Sequence, residues 1–345
     1  MPPDDPRGVA ALHVPGTGGL EIHRLGAGLV NETYRVLRAG SAYALRLAVS
    51  NRDDLGLDRA WEKRVLERAI SADLAPALEY CDPQRGILIT RWIDGRLWTW
   101  TDAREPRNIS RMASFMRRIH ALPMPAPRRS MDPGKWIDHY GAALTRGNGP
   151  NRPRDVSAET SAGLPEAPDR CDSRGNVSAE TSAQRPGRDV RDLAAAAARR
   201  LAALTALPSA DRVLCHSDLH SLNLIDRGDS LVLLDWEYAH ASDPLWDLAG
   251  WSANNDFGEE LARDLLTGYA GRPPTGDEYL RLQLLGWLYD YVCLLWSDLY
   301  LNPRPGAWSS VAVRGSAVAD SVAARAEVLA VRLNASESSR VNASK

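Results

Sequence analysis

Five short stretches near the start of the chain have the two-residue alternation of β-strands, and one longer stretch has the period of a helix. In residues 57–70, apolar side chains recur every three or four positions, which predicts an amphipathic helix. The pattern predicts a small antiparallel sheet with one helix over residues 20–95, preceded by a tail at residues 1–19. The predicted strands are residues 20–25, 33–37, 43–47, 74–80 and 86–90.

Beyond residue 95 the helical period dominates, which predicts a larger and mostly helical region over residues 96–333. Residues 334–345 are predicted to be a frayed C-terminal tail. The fold class expected from this pattern is α+β with two lobes, a sheet-based N-terminal lobe and a helical C-terminal lobe. The predicted helices are residues 105–122, 135–140, 192–207, 244–251, 259–269, 279–300 and 311–333.

Residues 146–190 differ from the rest of the second region. They are rich in Gly, Pro, Ser, Asp and Arg, and the run VSAETSA occurs twice, at residues 156–162 and 177–183. Such a composition buries too little apolar surface to offset its ordering entropy. We therefore predict a disordered insertion here, formed partly by duplication.

Three polar residues stand at the edges of a predicted strand–turn–strand unit inside the helical region. Asp218 and Asn223 lie in a polar loop just before an apolar strand, and Asp235 ends the next apolar strand. A turn containing Gly228 separates the two strands. Phosphoryl transfer from ATP needs a carboxylate near the substrate hydroxyl, together with an amide and a second carboxylate that hold Mg²⁺. The unit therefore predicts Asp218 as catalytic base, with Asn223 and Asp235 as catalytic metal ligands.

The run HSDLHSLN at residues 216–223, followed by DWE at residues 235–237, resembles the signature of the aminoglycoside phosphotransferase and choline kinase superfamily. The spacing of Asp218 and Asn223 is that of the protein-kinase catalytic loop. The further run DPLWDLA at residues 243–249 is most similar to the choline, ethanolamine and thiamine kinase branch. The resemblance implies a protein-kinase-like fold, ATP and Mg²⁺ as cofactors, and a small-molecule alcohol as substrate. It also implies that Asp247 braces the catalytic loop.

The same resemblance assigns phosphate contacts to the N-terminal lobe. Gly26 and Gly28 form a turn whose backbone can approach a triphosphate closely, because neither residue has a Cβ. Arg46 lies mid-strand where protein kinases carry a phosphate-binding lysine, and an arginine can bind phosphate through two N–H groups. Glu62 is the first candidate to pair with Arg46, and Glu67 is the second.

Residues 91–95 resemble the hinge between the two lobes of a kinase. We expect adenine to lie near Ile89 and Trp92, chiefly against the backbone.

Composition restricts the class of partner. A net charge of −2 over 345 residues argues against a nucleic-acid-binding surface. The N-terminus has neither the basic nor the apolar segment of a signal peptide, and no long apolar run predicts a membrane helix. The four cysteines show no paired spacing, which favours buried thiols in a reducing cytoplasm.

Aromatic residues bear on the substrate. The chain has eleven tryptophans and ten tyrosines but two phenylalanines. Indole and phenol rings attract cations. If the fold follows the superfamily, Trp246, Trp287, Tyr291 and Trp296 would line the cleft opposite Asp218. This hypothesis suits choline or the thiazolium ring of thiamine.

Two alternatives remain open from the sequence. An aminoglycoside phosphotransferase needs several carboxylates around a polycationic substrate, and the chain offers five candidates. A catalytically silent nucleotide-binding protein is the other alternative, although the presence of Asp218, Asn223 and Asp235 together argues against it. The candidate carboxylates are Asp256, Glu259, Glu260, Asp290 and Asp298.

Overall fold

The computed structural model describes residues 5–27, 30–48, 54–147, 190–302 and 317–343. A five-stranded antiparallel sheet forms the N-terminal lobe, in the strand order β1-β2-β3-β5-β4. Its elements in chain order are α1 (Pro6–His13), β1 (Leu20–Ala27), β2 (Asn31–Arg38), β3 (Ser41–Ala48), α2 (Arg59–Ser71), β4 (Leu78–Asp82) and β5 (Ile87–Arg91).

The two faces of this sheet pack against different helices. On β3, Tyr43, Leu45 and Leu47 are buried in a core that also contains Val9 and Ala10 of α1. Because strand side chains alternate, Arg46 between them points to the opposite face, toward α2. One face of the sheet is therefore a closed apolar core, and the other face presents polar side chains.

Helix α1 lies within the region expected to be an N-terminal tail, which corrects that expectation. Asp5 caps the helix by accepting hydrogen bonds from the backbone N–H groups of Arg7 and Gly8, and Pro6 occupies its first position. Arg38 of β2 donates hydrogen bonds to the carbonyls of Ala11 and Val14. Burial of two α1 side chains and these bonds hold the segment on the sheet.

The second lobe is mostly helical and contains two short antiparallel sheets, β6-β8-β9 and β10-β7. Its central core helix, α9, packs against α5, α6, α7 and α10. The elements are β6 (Arg96–Leu97), α3 (Trp100–Arg104), α4 (Pro106–His120), α5 (Pro133–Gly147), α6 (Val190–Ala206), β7 (Val213–Cys215), β8 (Leu224–Asp226), β9 (Leu231–Leu233), β10 (His240–Ser242), α7 (Leu245–Asn254), α8 (Glu259–Ala270), α9 (Gly276–Leu301) and α10 (Ala317–Ala343).

The expected fold class is confirmed, with an antiparallel sheet in the first lobe and a mostly helical second lobe. Most of the predicted insertion at residues 146–190 lies outside the described residues. Helix α10 runs past the predicted boundary at Leu333 to Ala343. Among the helices of the described ranges, none combines the length and apolarity required to cross a bilayer. Cys81, Cys215 and Cys293 are free thiols.

Candidate active site

The catalytic-loop candidate begins where β7 ends. Asp218 follows Ser217, whose φ of 70° reverses the chain direction. A 3₁₀ turn over Ser221–Asn223 then brings the amide of Asn223 back to Asp218, where its Nδ2 lies 3.2 Å from Asp218 Oδ2 and 3.1 Å from the Asp218 carbonyl. The two polar residues that the sequence placed five positions apart therefore touch.

Asp218 is held in its ionised form. Burial alone would raise the pKa of this carboxyl, but His220, His216 and Asn223 hold it below its ordinary value. His220 Nε2 lies 3.5 Å from Asp218 Oδ2. Asp218 Oδ1 has no hydrogen-bond partner among the residues that the structure describes. This oxygen is the one available to a substrate hydroxyl.

Asp247 at the start of α7 supports the loop from behind, as the sequence predicted. Its carboxylate accepts hydrogen bonds from the backbone N–H of His216 at 2.8 Å and from that of Ser217 at 2.7 Å. His120 Nε2 of α4 lies 3.1 Å from the same carboxylate, and its Nδ1 contacts the Tyr269 hydroxyl. His120 is thus part of this support and not only a packing residue.

Asp235 lies beside the catalytic loop because the residue before it, Leu234, is hydrogen-bonded to both ends of that loop, His216 and Asn223. The Leu234 N–H donates to the Asn223 carbonyl at 2.8 Å, and His216 Nε2 contacts the Leu234 carbonyl at 2.9 Å. Asp235 then adopts the left-handed conformation, with φ of 57° and ψ of 68°. The hairpin β8–β9 therefore brings the backbones of Asn223 and Asp235 to the same edge.

Arg46 joins the N-terminal lobe to this edge. Its Nη2 lies 2.5 Å from Glu62 Oε1 on α2, and its Nη1 lies 2.5 Å from Asp235 Oδ1. The structure thus contains the Arg46–Glu62 pair expected from the sequence, while the alternative partner Glu67 is exposed on the other side of α2. Arg46 is nearly buried, and these carboxylates offset the free-energy cost of burying its charge.

Asp235 lies in a region with excess negative charge. Burial and the neighbouring Glu237 carboxylate raise its pKa to about 7, although Arg46 acts in the opposite direction. A divalent cation at this position would remove the excess. Carboxylate and amide oxygens are the donors that Mg²⁺ prefers, so Asp235 and Asn223 suit that ion by charge and by ligand type.

Three residues without a predicted role complete the ion-pair group. Arg59 Nη1 lies 2.5 Å from Glu237 Oε2 and 2.9 Å from Glu62 Oε2. Asn31 donates to Glu237 Oε2 at 3.0 Å and accepts from Arg59 Nη2 at 2.8 Å. One signal for Arg59 was present in the sequence: it precedes Glu62 by three positions and therefore shares its helix face.

Only one of the two glycines predicted to approach phosphate can be placed. Gly26 lies in β1 opposite Thr33, which in turn pairs with Arg46, so the three residues lie side by side across three strands. The register between β1 and β2 shifts between Arg24 and Gly26. Gly28 falls outside the described residues.

The two predicted adenine neighbours have different positions. Ile89 is opposite Leu45 on the next strand and is fully buried in the core against α1. Its side chain therefore faces away from Arg46, and the expected contact with adenine would have to come from its backbone. Trp92 is half-buried just after β5, with the Arg35 guanidinium 4.7 Å from its ring centroid. Trp92 remains a predicted nucleotide contact.

Three tyrosines lie close enough to Asp218 for its charge to act on their hydroxyls. Burial raises the pKa values of the Tyr140, Tyr238 and Tyr289 hydroxyls well above the ordinary value, and the Asp218 charge adds to the effect at all three. Trp296 Nε1 donates to the Tyr238 hydroxyl at 2.8 Å. Trp296 is half-buried and lies seven positions after Tyr289, on the same face of α9. Tyr238 and Trp296 are half-buried and form the acceptor wall, whereas Tyr140 and Tyr289 are buried, at 2% and 4% exposed.

The other predicted substrate rings lie elsewhere, which corrects their assignment to the cleft. Trp287 stacks on Tyr291, the Arg200 guanidinium lies 3.9 Å from its ring centroid, and its Nε1 donates to Ser336 of α10. Both rings therefore occupy the opposite face of α9, against α6 and α10. Trp246 is 2% exposed and packs in the core, edge-on to Tyr289.

The carboxylates needed for a polycation site are largely engaged in ion pairs. Arg332 of α10 lies 2.8 Å from Asp256 Oδ1 and 2.8 Å from Asp290 Oδ1. Glu259 pairs with Arg263 one turn along α8, at 2.9 Å. Three of the five candidate carboxylates are therefore already paired, which reduces the negative charge available to several ammonium groups.

Comparison with known proteins agrees with this geometry. The chain matches the model of the family described as phosphotransferase enzyme family (APH) over residues 21–285. It is 36% identical over 58 residues to protein LicA of Haemophilus influenzae, a match that covers 17% of this chain and 22% of LicA. The chain thus spans about a fifth of the length of the curated relatives it matches.

Solved structures show the same fold over nearly the whole chain. A choline/ethanolamine kinase family protein from Mesorhizobium loti is 25% identical, with 94% of this chain and 92% of that chain covered and a TM-score of 0.64. Choline kinase LicA from Streptococcus pneumoniae is 19% identical, with coverage of 94% and 97% and a TM-score of 0.63. The GDP and kanamycin complex of APH(2")-IIia is 14% identical, with coverage of 94% and 98% and a TM-score of 0.58.

The two structures under 25% identity show the fold alone, and they confirm its protein-kinase-like class. The family model covers well over half of the residues and includes the runs at residues 216–223 and 235–237. The resemblance carried by residues 216–237 is therefore confirmed. The chain belongs to the phosphotransferase enzyme family that groups choline kinases with aminoglycoside phosphotransferases.

Proposed function

We propose that this protein transfers a phosphoryl group from ATP to the hydroxyl of a small cationic alcohol of the choline, ethanolamine or thiamine type. The observation that carries the proposal is the contact between Asp218 and Asn223, at the edge where Asp235 meets Arg46. A carboxylate base, two oxygen donors for a metal and a phosphate-binding cation are the parts that phosphoryl transfer requires.

Asp218 acts as the base. Its pKa is held low, so the carboxylate is ionised at neutral pH and accepts the hydroxyl proton as the new P–O bond forms. Asn223 and His220 hold one carboxylate oxygen and thereby orient the other. Asp247 fixes the loop backbone on which this geometry depends.

The nucleotide side is assigned to the N-terminal lobe. Arg46 holds phosphate oxygens and Glu62 fixes its position, while the backbone around Gly26 approaches the triphosphate. Asp235 and Asn223 would hold Mg²⁺, which neutralises phosphate charge when it is bound. Trp92 lies at the start of the hinge, where the nucleobase is expected.

The acceptor wall favours a cationic alcohol. The half-buried rings of Tyr238 and Trp296 offer aromatic surface and one hydroxyl but no carboxylate, a combination that suits one quaternary or aromatic cation. A polycationic aminoglycoside is less suited, because Asp256 and Asp290 are already paired with Arg332.

Turnover with defined acceptors tests the proposal. ADP release should be measured with Mg²⁺, ATP and one of choline, ethanolamine, thiamine or kanamycin, and the phosphomonoester should be identified by mass spectrometry. We expect turnover with at least one of the first three and none with kanamycin. Asp218→Ala should lose turnover while it still binds Mg²⁺-ATP. Equal turnover by that variant would refute the base assignment, and ATP binding without turnover of any alcohol would favour the catalytically silent alternative.

A further inference from the structure

Helix α2 contacts the segment after β9 through side chains other than the Arg46–Glu62 pair. That pair corresponds to the lysine–glutamate pair of protein kinases. Arg59 and Glu237 are almost completely buried, with side-chain exposures of 3% and 2%, and their charged atoms are 2.5 Å apart. Trp61 of the same helix donates from Nε1 to the Ala239 carbonyl at 2.6 Å. The first turn of α2 is therefore fixed to the chain at Glu237 and at Ala239, two residues beyond it.

Arg46 and Arg59 share two carboxylates, Glu62 and Glu237, and Arg46 also contacts Asp235. Glu237 Oε2 is 2.5 Å from Arg59 Nη1 but 3.7 Å from Arg46 Nη1. Asn31 donates to the same oxygen and accepts from Arg59, which closes the group. Arg59 is thus the main partner of Glu237, and Arg46 remains directed to Glu62 and Asp235.

Loss of Arg59 would leave Glu237 buried without its main counter-charge. A buried carboxylate in that state attracts the nearest cation strongly, because the surroundings screen charge weakly. The nearest is Arg46, the side chain assigned to ATP phosphates. Its pairing with Glu237 would compete directly with phosphate binding.

We propose that Arg59 is a positioning residue for the nucleotide, which acts by neutralising Glu237 so that Arg46 stays available to the triphosphate. The inference rests on the proposed function, since it takes Arg46 as a phosphate ligand. It extends that function to two residues, Arg59 and Glu237, that need not touch ATP themselves.

Nucleotide binding without acceptor provides the test. Titration calorimetry with Mg²⁺-ATP should compare wild type, Arg59→Met, Glu237→Gln and the double variant, below the lowest melting temperature in the set. We expect Arg59→Met to bind about tenfold more weakly or worse, since a charged hydrogen-bonded contact is at stake. The double variant removes the buried charge together with its partner and should bind within about threefold of wild type, even where its melting temperature stays lower.

Arg68→Met is the matched control, because Arg68 lies on the same helix but is exposed. Arg59→Met binding within about twofold of wild type would overturn the inference, and so would a double variant as weak as the single one. If Arg59→Met does not fold, Arg59→Lys replaces it. Arg59→Lys should bind Mg²⁺-ATP more weakly than wild type, and the double variant Arg59→Lys with Glu237→Gln should recover binding. Absence of Mg²⁺-ATP binding in wild type would instead count against the proposed function.

Discussion

Substitution of Asp247 by Asn tests the support of the catalytic loop. The carboxylate receives two backbone N–H groups and the His120 ring. An amide of the same shape keeps one acceptor oxygen, but its NH₂ group would face a buried N–H donor. A buried donor that loses its acceptor costs about 1–3 kcal/mol, so with the lost charge we expect unfolding free energy to fall by about 2–4 kcal/mol. That is a large share of a typical total of about 5–15 kcal/mol.

Urea denaturation at pH 7 and steady-state kinetics measure the two consequences. We also expect kcat to fall at least tenfold with little change in KM for ATP, because the loop carries Asp218 while the N-terminal lobe is untouched. Asp229→Asn is the control, since Asp229 is exposed and its one hydrogen bond within the described part of the chain comes from its neighbour Ser230. A folded Asp247→Asn variant with unchanged kcat, or a stability loss below about 0.5 kcal/mol, would refute the reasoning.

The pH dependence of that stability difference has a definite sign. Burial alone would raise the pKa of Asp247, but His120 and the loop amides hold it below the ordinary value. The carboxylate therefore stabilises the fold above the unfolded pKa of about 3.9, and this contribution is lost as pH falls below that value. The difference in unfolding free energy between wild type and Asp247→Asn should therefore shrink at low pH. A difference that widens on acidification would contradict the assignment.

Other substitutions separate the roles of nearby groups. Glu62→Gln frees Arg46 from its partner on α2 and should raise KM for ATP about tenfold without changing KM for the alcohol, which initial rates will show. Trp296→Leu should raise KM for the alcohol about three- to tenfold, whereas Trp287→Leu should lower the melting temperature and leave that KM unchanged. Burial raises the pKa of Asp290 to about 6, so the native state binds the extra proton and unfolding free energy falls as pH rises from about 4 to 6. In urea denaturation, the unfolding free energy of Asp290→Asn should not show that fall. Equal pH slopes for the variant and wild type would contradict the prediction.

The polar positions were predictable where local spacing alone determines geometry. Asp218 and Asn223 are joined by one short turn, and Asp235 follows a strand that can only pair with the one before it. Arg46 and Glu62 could also be matched, because a lone charge inside a strand needs a partner on the next helix.

Positions that depend on which face of an element is covered could not be predicted. Helix α9 is apolar nearly all round, so its sequence did not distinguish the Tyr289 face from the Trp287 face. The direction of the Ile89 side chain could not be predicted, because the side of the sheet covered by α1 was unknown. Helix α1 itself was missed, since the proline-rich start resembles a tail until Asp5 and Pro6 are recognised as a helix start.

The central claim is that Asn223 and Asp235 present their oxygens to one metal ion beside the ATP phosphates. Crystals grown with Mn²⁺ and a non-hydrolysable ATP analogue test it directly, through the anomalous signal of manganese. We expect an anomalous peak within bonding distance of Asn223 Oδ1 and an Asp235 carboxylate oxygen, with Arg46 moved from Asp235 onto phosphate. A nucleotide bound in the cleft with manganese at other residues, or with Asn223 and Asp235 directed apart, would contradict the claim.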